Sequence, residues 1–442
     1  MNRIKMVIPM FFGLMTLLWL SAESFDTISW SYFPIRKVAI QYSGILAIST
    51  MSIIMLLALR LKPLEKFLNG LDKSYRLHKW LGIGTLVLVI IHWFWAKGTK
   101  YMVGLGLLDK PGGKGGMHVD LTGVEAIFRG QKHLAEFLGE WGFYLFLVLI
   151  VIALTKTIRY SKFLNTHKIM SLVYLVFVFH TIILTKFSYW QQPVGWLVGI
   201  LIAAGSWAAI VSLLGKIGRK NKVQGSIEQF HFFEENQVLD ITINTQKKWQ
   251  GHNPGQFAFI KFAGEEPHPF TIASAQSENG GLRFQIKAIG DFTKRLKNSI
   301  NINDPVTVEG PYGYFNFKSE TQRQIWVAGG IGIAAFTAQM EALAQTPEPM
   351  EVDLFYCTQC PDVDFIRYIN QLADQANINL HLVNTNTDGF LTAKQISENV
   401  SFWKKADIWF CGPNNFAKKL QSDFAQLGLS ASKFHHELFE MR

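Results

Sequence analysis

Residues 78–92 read HKWLGIGTLVLVIIH, and residues 167–180 read HKIMSLVYLVFVFH. Each is an apolar run with a histidine at both ends. An ionisable group inside an apolar membrane run is costly, so each such histidine marks a functional position. His78 and His92 are 14 residues apart, and His167 and His180 are 13 apart. At ~1.5 Å per residue, each pair spans roughly 20 Å, most of the hydrocarbon thickness of a bilayer.

Around these two runs lie four more of similar character. The six segments fall at about 6–21, 39–59, 79–96, 138–156, 169–186 and 194–215. A soluble protein with six such runs would have no polar surface left to face water, so they read as membrane helices. In the first, Arg3 and Lys5 precede a short stretch ending in Ser21, Ala22 and Glu23, a pattern shared by a retained helix and a cleaved signal peptide. The basic residues sit between the runs. Arg60, Lys62, Lys66, Lys73 and Arg76 fill one connection, Arg159, Lys162 and Lys168 another, and Lys216, Arg219, Lys220 and Lys222 follow the last helix. By the positive-inside rule these are cytoplasmic, which places the C-terminal half in the cytoplasm. The 97–135 loop mixes both signs. Its stretch from Gly112 to Gly116, with His118 and His133, reads as solvated loop.

The third and fifth helices cross in the same direction, so His78 shares a depth with His167, and His92 with His180. Two levels of facing imidazoles suit two stacked b-type haems, each with both axial positions filled, an arrangement for electron transfer rather than ligand binding. The plainer reading makes His78 and His167 interfacial residues beside basic loops. One detail strains the haem reading. On a regular helix, 14 residues return within about 40° of the start, but 13 leave about 140°. Either the fifth helix is distorted or the haems approach it from different sides.

Composition agrees with a membrane half joined to a soluble half. Of 442 residues, 49% are hydrophobic and only 17% charged, against roughly 25% charged in soluble domains. Disorder and fibrous folds are excluded. The net charge of +10 comes from the inter-helix clusters, not from a basic stripe, so no nucleic-acid partner is expected and membrane lipid is. Cys357, Cys360 and Cys411 are too few for a disulfide framework and fit a reducing compartment.

From residue 222 the pattern changes to alternating strands, as in 256–262 and 282–287, which read as a small antiparallel barrel. Within it, His268-Pro269-Phe270-Thr271 offers a hydroxyl and flat groups to a flavin ring. Lys287, Gly290, Asp291 and Thr293 open a short helix suited to a pyrophosphate. From 319, strands alternate with helices, the signature of a doubly wound parallel sheet. Gly329-Gly330-Ile331-Gly332 follows the strand 324–328 and leads into a helix, as a dinucleotide pyrophosphate turn does. Two further strands end at Cys357-Thr358-Gln359-Cys360 and Cys411-Gly412-Pro413. The Cys357/Cys360 pair reads either as a redox dithiol or as small residues at a strand end. Zinc would need a second Cys/His pair at the right spacing.

Taken together these pieces resemble the membrane-bound NADPH oxidase and ferric reductase superfamily, particularly its bacterial single-chain members. The resemblance implies three domains: a six-helix haem domain over 1–217, an FAD-binding β-barrel over 218–318, and an NAD(P)H-binding α/β domain over 319–442. It also implies an electron path from NADPH or NADH to FAD, then through two haems to an external small-molecule acceptor, oxygen or a ferric chelate, with no obligatory protein partner. By motif, His268, Pro269, Phe270 and Thr271 correspond to the flavin-ring segment, and Lys287, Gly290, Asp291 and Thr293 to the FAD phosphates. Gly329, Gly330 and Gly332 correspond to the nucleotide turn, with Thr358 and Gln359 beside it. Cys411, Gly412 and Pro413 lie by the nicotinamide, with Cys411 near the hydride-transfer position. Phe439, in the tail 437–442, corresponds to the aromatic that covers the flavin. The chain departs from the family in three places. Ala334-Ala335 replaces a common Thr-Pro. Gln359 stands where NADPH-selective members often carry Arg, and an amide does not pair a 2′-phosphate. Met441 occupies the place that the covering aromatic takes in some members. A membrane cytochrome that feeds quinone or a periplasmic partner, and a transporter fused to a nucleotide-binding regulator, are the competing classes.

Overall fold

The computed structural model describes residues 2–25, 28–109, 123–155, 160–246, 248–277, 279–319 and 321–437. The chain forms two compact units, Met1–Leu68 with Lys73–Ile217, and Asn69–Asp72 with Gly218–Arg442.

The first unit is helical: α1 (Asn2–Ala22), α2 (Tyr32–Ala58), α3 (Lys62–Leu68), α4 (Leu71–Trp93), α5 (Thr99–Gly104), α6 (Gly123–Leu154), α7 (Tyr160–Leu184) and α8 (Pro193–Leu213). A π-helical turn, Phe94–Gly98, joins α4 to α5, so Leu71–Gly104 runs as one span of 34 residues. Six helices are long and apolar enough to cross a membrane. Their outer faces carry exposed Leu17, Trp141, Val148, Val151, Ile200 and Trp207, as a lipid-facing surface must. Helix α2 is the most enclosed, buried without a break from Ile45 to Ser52. Its neighbour α8 approaches closely where Gly205 leaves room for Tyr174, whose hydroxyl bonds Ser52 Oγ at 2.8 Å. Helix α1 packs into the same core through Met15 and Trp19, and Thr16 Oγ1 bonds the Tyr42 hydroxyl at 2.8 Å.

The spans are longer than the apolar windows. Helix α6 begins at Gly123, well inside what hydropathy marks as loop, because hydropathy measures the lipid-facing part and not the helix. Its polar first turns carry a Lys132–Glu136 pair four residues apart, which supports helix. His133 therefore lies on an exposed helix face. His118 and the stretch 112–116 fall outside the described residues, as does Arg159.

The second unit begins with β1 (Lys222–Phe233), β2 (Val238–Asn244), β3 (Phe257–Lys261), β4 (His268–Thr271), β5 (Gly281–Lys287), the short α9 (Asp291–Leu296) and β6 (Pro305–Tyr312). These strands form one antiparallel sheet in the order β4-β3-β6-β1-β2-β5. An Ile272–Phe284 bridge joins the two ends and closes the barrel. Alternating inward residues such as Leu239, Ile241, Ile243 and Leu282, Phe284, Ile286 fill it.

Next come β7 (Arg323–Gly329), α10 (Ile333–Gln345), β8 (Glu351–Thr358), α11 (Val363–Gln375), β9 (Asn379–Asn384), α12 (Ala393–Asn399), β10 (Asp407–Cys411), α13 (Asn414–Gln426) and β11 (Phe434–His436). The sheet is parallel throughout, in the order β11-β10-β7-β8-β9. One apolar cluster packs Phe336, Met340, Phe365 and Ile369 on one face. A second packs Ile396, Ala417, Leu420 and Phe424 on the other. The sheet is therefore doubly wound, and its strand order reverses between β7 and β10, where such folds bind their ligands.

Candidate redox sites

In the membrane unit, the histidine rings face one another in two pairs. The His78 and His167 ring centroids are 5.9 Å apart and those of His92 and His180 are 6.2 Å apart. Metal–imidazole bonds of about 2.0–2.1 Å would put the ring centroids of two axial ligands roughly 6 Å apart. The spacing fits a shared iron in each tier.

Three of the four Nδ1 atoms are occupied from behind. His78 Nδ1 faces the Ile54 carbonyl at 3.1 Å, His92 Nδ1 the Ile40 carbonyl at 3.1 Å, and His180 Nδ1 the Ala135 carbonyl at 2.8 Å. A proton held on Nδ1 leaves Nε2 as the coordinating atom. The residues present thus fit haem ligation. Two glycines make the space. A Cβ on Gly44 would stand 3.1 Å from His92 Cε1, and a Cβ on Gly139 would overlap the His180 ring. The helical-phase problem is not solved by distortion, because α7 is α-helical from end to end. The two rings leave it from different sides.

Just beyond His92 the π-turn strains the helical ladder, and Arg36 of α2 supports it. Its Nε and Nη2 donate to the Trp95 and Ala96 carbonyls at 2.8 and 2.7 Å. None of these supporting contacts has a sequence signature, since their acceptors are mostly backbone carbonyls.

In the second unit, His268, Pro269, Phe270 and Thr271 form β4, paired to β3 with Phe257 opposite Thr271. All four are half-buried. The His268 ring stacks on Phe292 at 4.3 Å, and burial holds its imidazole below the usual range. Asp291 opens α9 behind Gly290. Thr293 turns inward: its Oγ1 accepts from the Ile289 and Gly290 amides at 3.1 and 3.0 Å. Its hydroxyl is thus engaged within its own turn. Lys287, at the end of β5, points to the nucleotide turn, with Nζ 4.0 Å from where a Cβ would stand on Gly330.

That turn sits at the strand-order reversal. Gly330 has φ +57°, a conformation that favours glycine. Gly332 and Gly412 serve close approach. A Cβ on Gly332 would overlap the Cys411 carbonyl, and one on Gly412 would stand 2.9 Å from Gly329 Cα. The structure therefore brings Gly329, Gly330, Gly332, Cys411, Gly412 and Pro413 together. Cys411 is buried, and burial together with the Glu437 carboxylate pushes its thiol well above the ordinary range. Glu437 in turn accepts from the Tyr314 and Phe315 amides at 2.9 and 3.2 Å, which pins the start of the tail. Phe439 and Met441 lie outside the described residues.

At the end of β8, Thr358 is buried and Gln359 is exposed, and the Gln359 carbonyl accepts from Asn386 Nδ2 at 2.8 Å. Of the cysteine pair, Cys357 is buried in the apolar cluster and Cys360 is exposed. Burial pushes the Cys357 thiol up to about 12.

A polar latch that no motif announces joins β5 and the chain just past β4 to α10 and α11. Arg283 Nη2 donates to Glu341 Oε1 at 2.5 Å, to the Ala273 carbonyl at 3.0 Å and to the Tyr368 hydroxyl. Thr337 Oγ1 donates to the same Ala273 carbonyl at 3.1 Å, and Glu341 Oε2 accepts from the Ala275 amide at 2.8 Å. The chain just past Thr271 is thus fixed to α10, which starts at the glycine turn.

Comparison with known proteins follows the same division. Residues 43–178 match the family described as ferric reductase like transmembrane component, and residues 229–316 match an FAD-binding domain family. The chain is 27% identical over 125 residues to the reductase component of propane 2-monooxygenase from Rhodococcus jostii (strain RHA1), covering 27% of this chain and 33% of that protein. It is 27% identical over 164 residues to flavohemoprotein B of Dictyostelium discoideum, covering 34% and 38%. The chain thus spans about a third of the length of these two curated relatives. A solved FAD/NAD binding domain of nitric oxide dioxygenase from Vibrio cholerae O1 biovar El Tor aligns at 20% identity and a TM-score of 0.43, over 49% of this chain and 98% of that one. A ferric reductase-like membrane domain followed by an FAD-binding, ferredoxin-reductase-like domain matches the fused architecture of the NADPH oxidase and ferric reductase superfamily.

Proposed function

We propose that the protein takes electrons from cytosolic NADPH or NADH and delivers them across the bacterial inner membrane to an external small-molecule acceptor, oxygen (giving superoxide) or a ferric chelate. His78 with His167, and His92 with His180, would each hold one b-type haem. The observation that carries this is the pair of near-equal imidazole separations, 5.9 and 6.2 Å, on the same two helices. When bound, FAD converts a two-electron hydride into single electrons, and the haems carry these one at a time.

The residues supply position and exclusion. Gly329, Gly330 and Gly332 present backbone amides to the nucleotide pyrophosphate. Thr271 orients the flavin ring. Cys411, Gly412 and Pro413 shape the floor beside the nicotinamide, and Phe439 shields the flavin face. Cys411 would stay a protonated thiol at neutral pH and act by packing and hydrogen bonding. Thr358 and Gln359 flank the adenosine end, where a neutral side chain leaves NADH and NADPH nearly equal.

The test is NADH and NADPH oxidation by the detergent-solubilised full chain with FAD, following superoxide and ferric-chelate reduction in parallel. A bis-histidine Soret spectrum with turnover of either acceptor supports the reading. Turnover only with quinone would transfer it to the membrane-cytochrome class, and absence of haem would remove it.

A further inference from the structure

The two histidine tiers are held differently. In the His92–His180 tier both Nδ1 atoms are engaged. His180 faces the Ala135 carbonyl at 2.8 Å. His92 faces two groups, the Ile40 carbonyl at 3.1 Å and Ser43 Oγ at 3.1 Å. Ser43 donates its own proton to the Ala39 carbonyl at 2.6 Å, so its oxygen meets His92 as an acceptor. Ser43 is buried, 4% exposed, so no water competes for it. In the His78–His167 tier only His78 has such a partner, the Ile54 carbonyl at 3.1 Å. Among the described residues nothing accepts from the buried His167 Nδ1. That ring is held instead by stacking on Phe163, at 5.2 Å and 22°.

The count is three acceptors against one, with the two at His92 sharing its single Nδ1 proton. Each proton shared from Nδ1 pushes electron density toward Nε2 and makes the imidazole a stronger donor to its metal. A stronger donor stabilises the oxidised iron, and second-shell hydrogen bonding is one of the levers by which a protein sets haem potential. We propose that the tiers are electronically unequal by construction: the His92–His180 tier is the lower-potential one, and Ser43 is the positioning residue that holds it there. This rests on the reading that these histidines ligate haem. A singly reduced protein then keeps its electron on the His78–His167 side.

The experiment is a spectroelectrochemical titration of the purified full chain, following its Soret and α bands, for the parent and for Ser43→Ala, Ser43→Cys and Ser43→Thr. Ser43→Ala leaves the Ile40 carbonyl in place, so the ring keeps a partner. The lower-potential component should rise by about a tenfold change in its ferrous-to-ferric ratio, the smaller end of second-shell effects, which is ~59 mV for one electron. The higher component should stay. Ser43→Cys, close in size but a weaker acceptor, should shift the same way, and Ser43→Thr should restore the parental value. His180→Leu should remove the lower component and so identify its tier. Movement of the higher component, equal movement of both, or no movement in Ser43→Ala and Ser43→Cys overturns the proposal while two haems are still bound. A parent chain without a Soret band overturns the ligation reading itself, a result of a different kind.

Discussion

Replacing Gly139 with alanine tests the His92–His180 tier with a single added carbon. The new Cβ would stand 2.9 Å from His180 Cγ and closer still to Nδ1, and the atoms it meets belong to a ring already fixed by the Ala135 carbonyl. Overpacking of a filled site costs about 1–3 kcal/mol, and loss of the Nδ1 hydrogen bond adds about 0.5–1.5 kcal/mol. Together, about 1.5–4.5 kcal/mol corresponds to roughly a 12- to 1,600-fold loss of haem affinity in that tier. Alanine also improves helix propensity by ~1 kcal/mol, so loss of haem would not reflect a weakened helix. Gly142→Ala is the control. It lies on the same helix, but its Cβ would meet Phe177 Cε1 at 3.1 Å and Val176 Cγ1 at 3.5 Å, not a histidine. The assay is haem per polypeptide by pyridine haemochrome, with the Soret band as a second readout. We expect one haem in Gly139→Ala against two in the parent and in Gly142→Ala. Two haems in Gly139→Ala, bound as tightly as in the parent, would refute the assignment of His180 as a ligand.

Three further predictions concern the reductase unit. Gln359→Arg should shift the NADPH-to-NADH ratio of kcat/KM upward by about tenfold, because a guanidinium pairs a 2′-phosphate where the exposed amide does not; steady-state rates with both dinucleotides check it. Gly332→Ala should slow hydride transfer to bound flavin by about tenfold or more, with FAD content unchanged, since its Cβ would overlap the Cys411 carbonyl beside the nicotinamide segment; rapid-mixing flavin bleaching reads this. Iodoacetamide at pH 8 should label one thiol per folded chain, the exposed Cys360, because burial raises both the Cys357 and Cys411 thiols and so keeps them protonated as well as covered. Labelling of the other two should wait for unfolding, which mass spectrometry of peptides can follow.

The order of helices and strands was legible because each element carries its own period. The apolar runs announce the six spans, and the alternation in 239–243 and 282–286 announces the barrel. The four histidines stood out since an imidazole in an apolar run needs a reason. What surrounds them was hidden. Ile40, Ile54 and Ala135 contribute backbone carbonyls, which every residue has, and Gly139 reads as one more small residue in a membrane helix. The start of α6 was missed because charged residues such as Lys132 and Glu136 hide a helix from a hydropathy scan while stabilising it. In the soluble half, the glycine turn follows from local spacing. The Arg283–Glu341 pair does not, because its partners are 58 residues apart in the chain and meet only once the barrel and sheet have formed.

Helix α10 carries the nucleotide turn at its head and, one and two turns further on, the Thr337 and Glu341 contacts to the chain just beyond Thr271. With dinucleotide and flavin bound as proposed, one rigid rod would set the spacing between hydride donor and hydride acceptor. A hinge between the two halves would have to shear Arg283 from Glu341 and strip Ala275 of its partner, so spent dinucleotide should leave with the halves still locked. Turnover in this module would then be governed by threading of the dinucleotide through a fixed aperture, not by the breathing of a clamshell.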